Sequence, residues 1–348
     1  MRHDTSRSVY HQPIKPPRNL IDPEGDYQYG WFKNFDGTVD VDKARAPQRR
    51  LKYWFHLHFD TETHLVTANI AHMGILGNTS IVIVNKQDGT STHANKTRWL
   101  WRNRITQSGG CADIKDLESD SFISQDANGE VHFQLVVDNT ILKGHATASL
   151  GPPFIQCTRY RHGFGTIQWW GNLTIKNATL TCDDTVLLVP PGTVLGFDRT
   201  IGHRPRKQEW NWLSAHGHTQ GRESQSQFFS LQVAVDHLHS SETHPPNKFN
   251  LWLGRSLYKF EHAKFMRSPG SLDNSEWTIV AKGTGAAQSL NATFNPVWRR
   301  RERQGVAQLF GGDFNQLYGP LRGTFTVNGQ THSFEVPFAI VEDSVMAL

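Results

Sequence analysis

The sequence predicts an all-β protein built from antiparallel, barrel-like sheets, and three observations carry that expectation. Leu51, Tyr53, Phe55, Leu57 and Phe59 alternate with Lys52, Trp54, His56, His58 and Asp60, a period of two that a strand displays as two opposite faces. The stretch 226–235 repeats the alternation with Phe229, Leu231, Val233 and Val235. Short runs of this kind recur between turn signals such as Asp88-Gly89 and Asn128-Gly129, and no long stretch has the 3.6-residue period of a helix.

The elements follow in chain order. Pro13, Pro16 and Pro17 make residues 1–20 an extended or disordered arm. Residues 21–190 are expected to form a first barrel, with strands over 27–35, 51–60, 65–70, 80–84, 91–100 and 131–137. Beyond the break at Gly151-Pro152-Pro153 come strands over 166–170, 173–180 and 186–189. Pro190-Pro191-Gly192 interrupts the chain again, and residues 191–348 read as a second barrel. Its strands fall over 226–235, 248–253, 256–265, 277–281, 289–294, 306–310, 319–327 and 331–340. The halves share this grammar of short strands without a clean sequence repeat.

Composition bounds the partners. The 348 residues exceed one ordinary domain. Lys+Arg 36 against Asp+Glu 32 leaves a net charge of +4, too slight for a nucleic-acid partner. Cys111, Cys157 and Cys182 are an odd count without metal spacing or a disulfide framework. No apolar run is long enough to cross a bilayer, and residues 1–20 show no apolar leader segment. The expected setting is therefore cytoplasmic, without stable membrane insertion, as a monomer or homodimer. The 11 tryptophans and 20 phenylalanines supply apolar area and π faces that line pockets or fill barrel cores.

Chemistry concentrates between residues 203 and 235. Glu209, Trp210, Asn211, Trp212, His216 and His218 fall within ten residues. A carboxyl set against indole is poorly hydrated, which suits a proton donor near neutral pH, and indole faces stabilise a developing cation. The pattern H-x-H occurs at His56/His58, His216/His218 and His237/His239. Residues two apart on a strand share a face, as metal ligands often do. If the first hairpin turns at residues 61–64, however, His56 and His58 face Asn69 and Thr67, while His72 falls on the other face. No third ligand is at hand, and no metal site is expected. Gly283-Thr284-Gly285 is too short for a nucleotide loop, no nucleophile elbow is present, and no cofactor is expected.

The C-terminal half resembles a known family. Glu209-Trp210-Asn211-Trp212-Leu213-Ser214 is similar to the W-x-W signature of the bacterial lipocalin-like proteins called domain of unknown function 2804. The segment from Asn250 to Lys259 resembles that family's Asn-x-x-Trp region, with Phe249 where an acidic residue is usual. Phe294-Asn295-Pro296, the segment Gln316 to Gly323, and Val341-Glu342-Asp343 resemble its closing block, with Ser344 where a histidine is common. The resemblance covers roughly residues 25–348 and extends to a wider set that includes carotenoid hydratases, tocopherol-cyclase-like proteins and fungal pericyclases. It implies two consecutive lipocalin-like (calycin) antiparallel barrels and a hydrophobic substrate in a cavity between them.

Together these readings describe an acid–base enzyme without a cofactor, a hydratase, dehydratase or cyclase, acting on a small terpenoid- or polyketide-like molecule. Glu209 is the expected proton donor, with His56, His58, His216 and His218 orienting water or relaying protons. Trp54, Trp210, Trp212, Trp252 and Asn211 are the expected binding residues. A non-catalytic carrier of a hydrophobic ligand, or a carbohydrate-active lyase or hydrolase, would use the same residue types.

Overall fold

The structure is a computed structural model of the chain. It describes residues 13–33, 35, 37–74, 76–99, 105–107, 113–126, 129–148, 150–160, 164–221, 226–238, 248–283, 288–306 and 310–347. Cys111, Asn128, His239, Thr284 and Gly285 lie outside them. Two antiparallel sheets form a half-barrel and a nearly closed barrel. The chain divides into two compact units between Arg204 and Pro205.

The first unit holds β1 (Gly30–Phe32), β2 (Leu51–Asp60), β3 (His64–His72), β4 (Leu76–Asn85), β5 (Ser91–Trp99), β6 (Ile105–Gln107), β7 (Ile114–Asp116), β8 (Ser121–Gln125), β9 (Val131–Val137), β10 (Thr140–Ala148), β11 (Phe154–Arg159), β12 (Gly165–Cys182), β13 (Thr185–Val189) and β14 (Val194–His203). They make a 14-stranded sheet ordered β5-β4-β3-β2-β14-β12-β10-β9-β8-β7-β6, with β11 and β13 also on β12 and β1 on β11. β14, which the sequence reading assigns to the second barrel, lies between β2 and β12 of this sheet. Pro190-Pro191-Gly192 is only a turn, with Gly192 at φ +90, so the first unit runs on to Arg204.

The apolar side of β2 builds the core. Phe55, Leu57 and Phe59 are each 1% exposed, and the pairings carry this face to Ile70, Ala68 and Val66 on β3 and to Phe197 and Leu195 on β14. The expected arm is tied down at its end: Leu20 is fully buried, and its backbone N–H donates to Thr38 O at 3.0 Å. Just beyond it, the Tyr27 ring lies on Gly165, where an added Cβ would come within 2.3 Å of the ring. Burial holds the His203 imidazole down at about 4, so the ring is neutral and its Nδ1 accepts from the Tyr27 hydroxyl at 2.7 Å. The His203 backbone N–H donates back to that hydroxyl at 3.0 Å.

The second unit holds β15 (Lys207–His218), β16 (Phe228–Asp236), β17 (Lys248–Leu253), β18 (Ser256–Phe260), β19 (His262–Arg267), β20 (Trp277–Lys282), β21 (Ser289–Phe294), β22 (Trp298–Val306), β23 (Phe310–Val327) and β24 (Gln330–Ala347). Their order is β18-β17-β16-β15-β24-β23-β21-β20-β19, with β22 on β23. β19, at one end of that path, comes back to touch β16 and β17. Leu213, Phe229, Leu231, Phe249, Ile279, Phe325 and Phe334 are among the side chains that fill the enclosed core. β23 and β24, each 18 residues long, join through Asn328-Gly329 with φ of +51 and +76, the two positive angles a two-residue hairpin turn needs.

Candidate functional site

In each unit part of the sheet buries a second, polar face besides the one on the apolar core. In the first unit the face of β2 away from the core carries Lys52, Trp54, His56 and His58, with Lys52 1% and His58 2% exposed. Directly opposite on β14 stand Gly202, Thr200, Asp198 and Gly196, and beyond them on β12 Thr166, Gln168, Trp170 and Asn172. Cross-strand partners in an antiparallel ladder share a face, so these residues form one continuous surface.

Asp198, 8% exposed, is the cross-strand partner of His56. Its Oδ1 accepts from the Thr200 hydroxyl at 3.1 Å and its Oδ2 from Trp54 Nε1 at 3.4 Å. The Arg204 guanidinium lies over the Trp54 ring, 5.1 Å from its centroid. The His56 and His58 rings stack at 5.7 Å and 28°. His58 packs on Gly196, where an added Cβ would sit 2.2 Å from Nε2.

Several buried polar atoms on this surface have no hydrogen-bond partner among the described residues: Lys52 Nζ, Gln156 Oε1, Gln168 Oε1, Trp170 Nε1 and both amide atoms of Asn172. Burial, reinforced by Arg204 and Arg50, pulls Lys52 down to about 7.

The second unit has a comparable face. Trp210, Trp212, Ser214 and His216 of β15 share it with Ser344, Glu342 and Ile340 of β24, Ser230, Gln232 and Ala234 of β16, and Asn250 and Trp252 of β17. Glu342 anchors a hydrogen-bonded row. It accepts from Trp210 Nε1 at 3.0 Å and from Gln316 Nε2 at 2.9 Å, while the Tyr318 hydroxyl donates to Gln316 Oε1. Gln232 and Asn250 are cross-strand partners, both fully buried, and neither side-chain amide has a partner among the described residues.

The structure therefore brings Trp54, His56 and His58 onto one face in the first unit, and Trp210, Trp212, Trp252, His216 and His218 onto one face in the second. Glu209 does not join the indoles. Strand alternation turns it to the opposite side of β15, opposite Val345, and the carboxylate on the indole face is Glu342, partner of Trp212. Asn211 shares Glu209's side. It donates to Asp343 Oδ1 at 3.1 Å, and its Oδ1 lies 2.7 Å from His237 Nε2, so it sits in a packed polar corner away from the indoles. His218 is exposed at the strand end, edge-on to Phe228 at 5.9 Å.

The sequence reading missed Asp198, Gln168, Trp170 and Asn172. It used Glu342 only as part of a family block. The period of two that it applied to β2 would, on β15, have separated Glu209 from both indoles. Among the described residues no H-x-H pair gains a third ligand. His72 stacks on Tyr53 at 4.5 Å on the core side of β2 and β3. The side chains that do converge with metal-ligand spacing are Glu130, His132 and His145.

Two lipocalin-like β-barrels, each with an indole-bearing polar face behind an apolar core, define a double-barrel calycin-type protein. The chain belongs to the family described as domain of unknown function DUF2804, whose model matches residues 166–347. No curated protein matches its sequence.

Solved structures share the fold. The AttH-type protein of Nitrosomonas europaea has a TM-score of 0.52 at 13% identity, over 86% of this chain and 92% of its own. Kievitone hydratase from Nectria haematococca has a TM-score of 0.52 at 12% identity, over 85% of this chain and 88% of its own. CghA, solved with Sch210972, has a TM-score of 0.52 at 10% identity over the same shares.

Proposed function

We propose that this chain is an acid–base enzyme without a cofactor, a hydratase, dehydratase or cyclase, whose substrate is an apolar, oxygen-bearing molecule of terpenoid or polyketide type. The observation that supports it best is the His56–Asp198 pair, set across two strands on a buried face that also carries Trp54 and Trp170. In this reading Asp198, which accepts from Trp54 and Thr200, supplies the carboxylate across the ladder from His56, and His56 moves the proton. In hydration the proton adds to one carbon of a C=C bond and water adds its oxygen to the other. The proton that water sheds returns to the base. In cyclisation a second C=C bond takes the place of water, and the cation this leaves gives a proton back to the base to form a new C=C bond. Neither reaction changes the oxidation level, so neither calls for a redox group. The indole faces stabilise the cation that forms on the way. The buried amides of Gln156, Gln168 and Asn172 offer hydrogen bonds to oxygen substituents.

In the second unit, Glu342 takes the carboxylate role that the sequence reading gives to Glu209. Trp210, Trp212 and Trp252 supply apolar wall, and His216 is a further proton carrier on the same face. The fold-level likeness to kievitone hydratase supports a reaction of this class.

The test incubates purified protein with kievitone, farnesol and a panel of prenylated phenols in oxygen-18 water and follows products by mass spectrometry. Hydration adds one labelled water. Cyclisation leaves the mass unchanged with a new retention time. His56→Gln and Asp198→Asn should each cut turnover by about a hundredfold, the usual scale for one acid–base group, while binding persists. Ligands that bind and stay chemically unchanged would make the protein a carrier instead.

A further inference from the structure

Away from the indole faces, on the β8-β9-β10 edge of the first unit, three side chains converge. Glu130 and His132 stand two residues apart at the start of β9, so they share a face, and His145 of β10 is the direct cross-strand partner of His132. The His145 Nε2 lies 2.9 Å from Glu130 Oε2. The two imidazoles are stacked almost parallel, with centroids 4.3 Å apart and 3° between planes. One ligating atom from each residue falls within 4.8 Å of the other two.

The position is braced. Glu130 N–H donates to Asp126 Oδ1 at 3.0 Å, and Asp126 N–H donates to Glu130 O at 2.9 Å. On its other side His132 pairs with Ser124 of β8. Ser124 and Asp126, with Asp113, Lys115, Phe122 and Gln125, line a cavity of about 370 Å³. The three side chains thus stand beside a cavity, with the backbone of Glu130 held on both its N–H and its C=O.

We infer that Glu130, His132 and His145 bind a divalent transition ion of the zinc class. Two imidazoles and one carboxylate are a zinc donor set that leaves a fourth position for water or a small anion. The same set is a poor one for magnesium or calcium, which prefer oxygen throughout. Tetrahedral zinc, with bonds of about 2.0–2.1 Å, wants donor atoms roughly 3.3 Å apart. Lone pairs in parallel ring planes do not meet, so binding tilts the two stacked imidazoles toward one ion, a movement open to side chains that are 25% (His145) and 37% (Glu130) exposed. The ligands come from two strands, and so no H-x-H spacing reveals them.

The experiment titrates Zn²⁺ into chelator-dialysed full-length protein against a chromophoric competitor, then repeats it with Co²⁺ while recording the visible spectrum. One equivalent should bind with an affinity on the order of micromolar or better, and Co²⁺ should give the intense visible bands of a four-coordinate site. His132→Ala, His145→Ala and Glu130→Gln should each weaken binding at least tenfold, no less than the loss of an outer partner of a metal ligand costs. His262→Ala, at an exposed position, should leave it unchanged. His145→Asn, checked by circular dichroism, separates loss of a ligand from loss of fold. Absence of a one-to-one site, or a site that survives in the double variant His132→Ala/His145→Ala, overturns the inference.

Discussion

Gly196→Ala is the sharpest test of the His58 position. The glycine has no positive φ, so alanine meets no backbone strain there. Its Cβ, however, would sit 2.2 Å from His58 Nε2 and 2.4 Å from Cε1, far inside van der Waals contact. His58 is 2% exposed and its ring stacks on His56, so it cannot swing into solvent without giving up that stack. Overpacking of a buried site costs about 1–3 kcal/mol. For a unit of this size that is a fall in Tm of roughly 2–12 °C.

The mechanism makes a further demand. In a His58→Ala background the obstructing ring is gone, so Gly196→Ala should then cost almost nothing. The double-mutant cycle should show a coupling near the full single-mutant cost. Thermal melts of the four proteins measure it, and turnover should fall in both single variants. An equal cost of Gly196→Ala with and without His58 would refute the reasoning.

Other expectations follow from the same geometry. Glu342→Gln should lower turnover by about a hundredfold, while Glu209→Gln, on the opposite side of β15, should leave it unchanged; steady-state rates of the two decide which carboxylate matters. The folded chain refuses a proton at His203 down to about pH 4, whereas the unfolded chain accepts one near its ordinary 6.5. Stability should therefore fall as pH drops through that window, by at most about 3 kcal/mol, and His203→Gln should flatten the loss in urea titrations. Lys52 is lowered from 10.5 to about 7, so the unfolded chain holds a proton between those values that the folded chain lacks. Stability should rise with pH across that range, and Lys52→Met should remove the slope and stabilise the protein at neutral pH. Gln168→Leu should raise Tm yet reduce the preference for farnesol over farnesene, read by competitive binding; a drop in Tm with the preference intact would make Gln168 purely structural.

What the sequence showed and hid follows from how these sheets are buried. β2 was legible because, Trp54 apart, its apolar residues fall on one side and its polar residues on the other. β15 was not, because Trp210 and Trp212 lie on the polar face while Leu213 and Ala215 lie in the core, so apolar character no longer marks one side. The partner of an indole is also set by register rather than by chain proximity: Glu342 reaches Trp210 across 132 positions, and Trp54 reaches Asp198 across 144. β14 was assigned to the wrong unit for the same reason. It pairs with β2 and β12, neither of which adjoins it in sequence, and the Pro-Pro-Gly turn before it reads like a domain break.

The buried amides bear on why such faces exist at all. Each buried polar atom left without a partner costs about 1–3 kcal/mol, and leucine or methionine of similar volume would avoid that cost. Gln156, Gln168 and Asn172 in the first unit, and Gln232 and Asn250 in the second, all carry such atoms, and all lie on the side of the sheet away from the apolar core. Trp277 Nε1 and Asn315 Oδ1 on the core side also have no partner among the described residues, but these five amides share the surfaces that hold His56, Asp198 and Glu342, and that supports the proposed site for an oxygenated apolar molecule. Indole area binds the hydrocarbon with little discrimination, whereas an amide that stays unpaired unless the right oxygen arrives rejects molecules lacking it. On the proposed reading, stability given up at these positions is specificity gained for the acid–base pair proposed beside them.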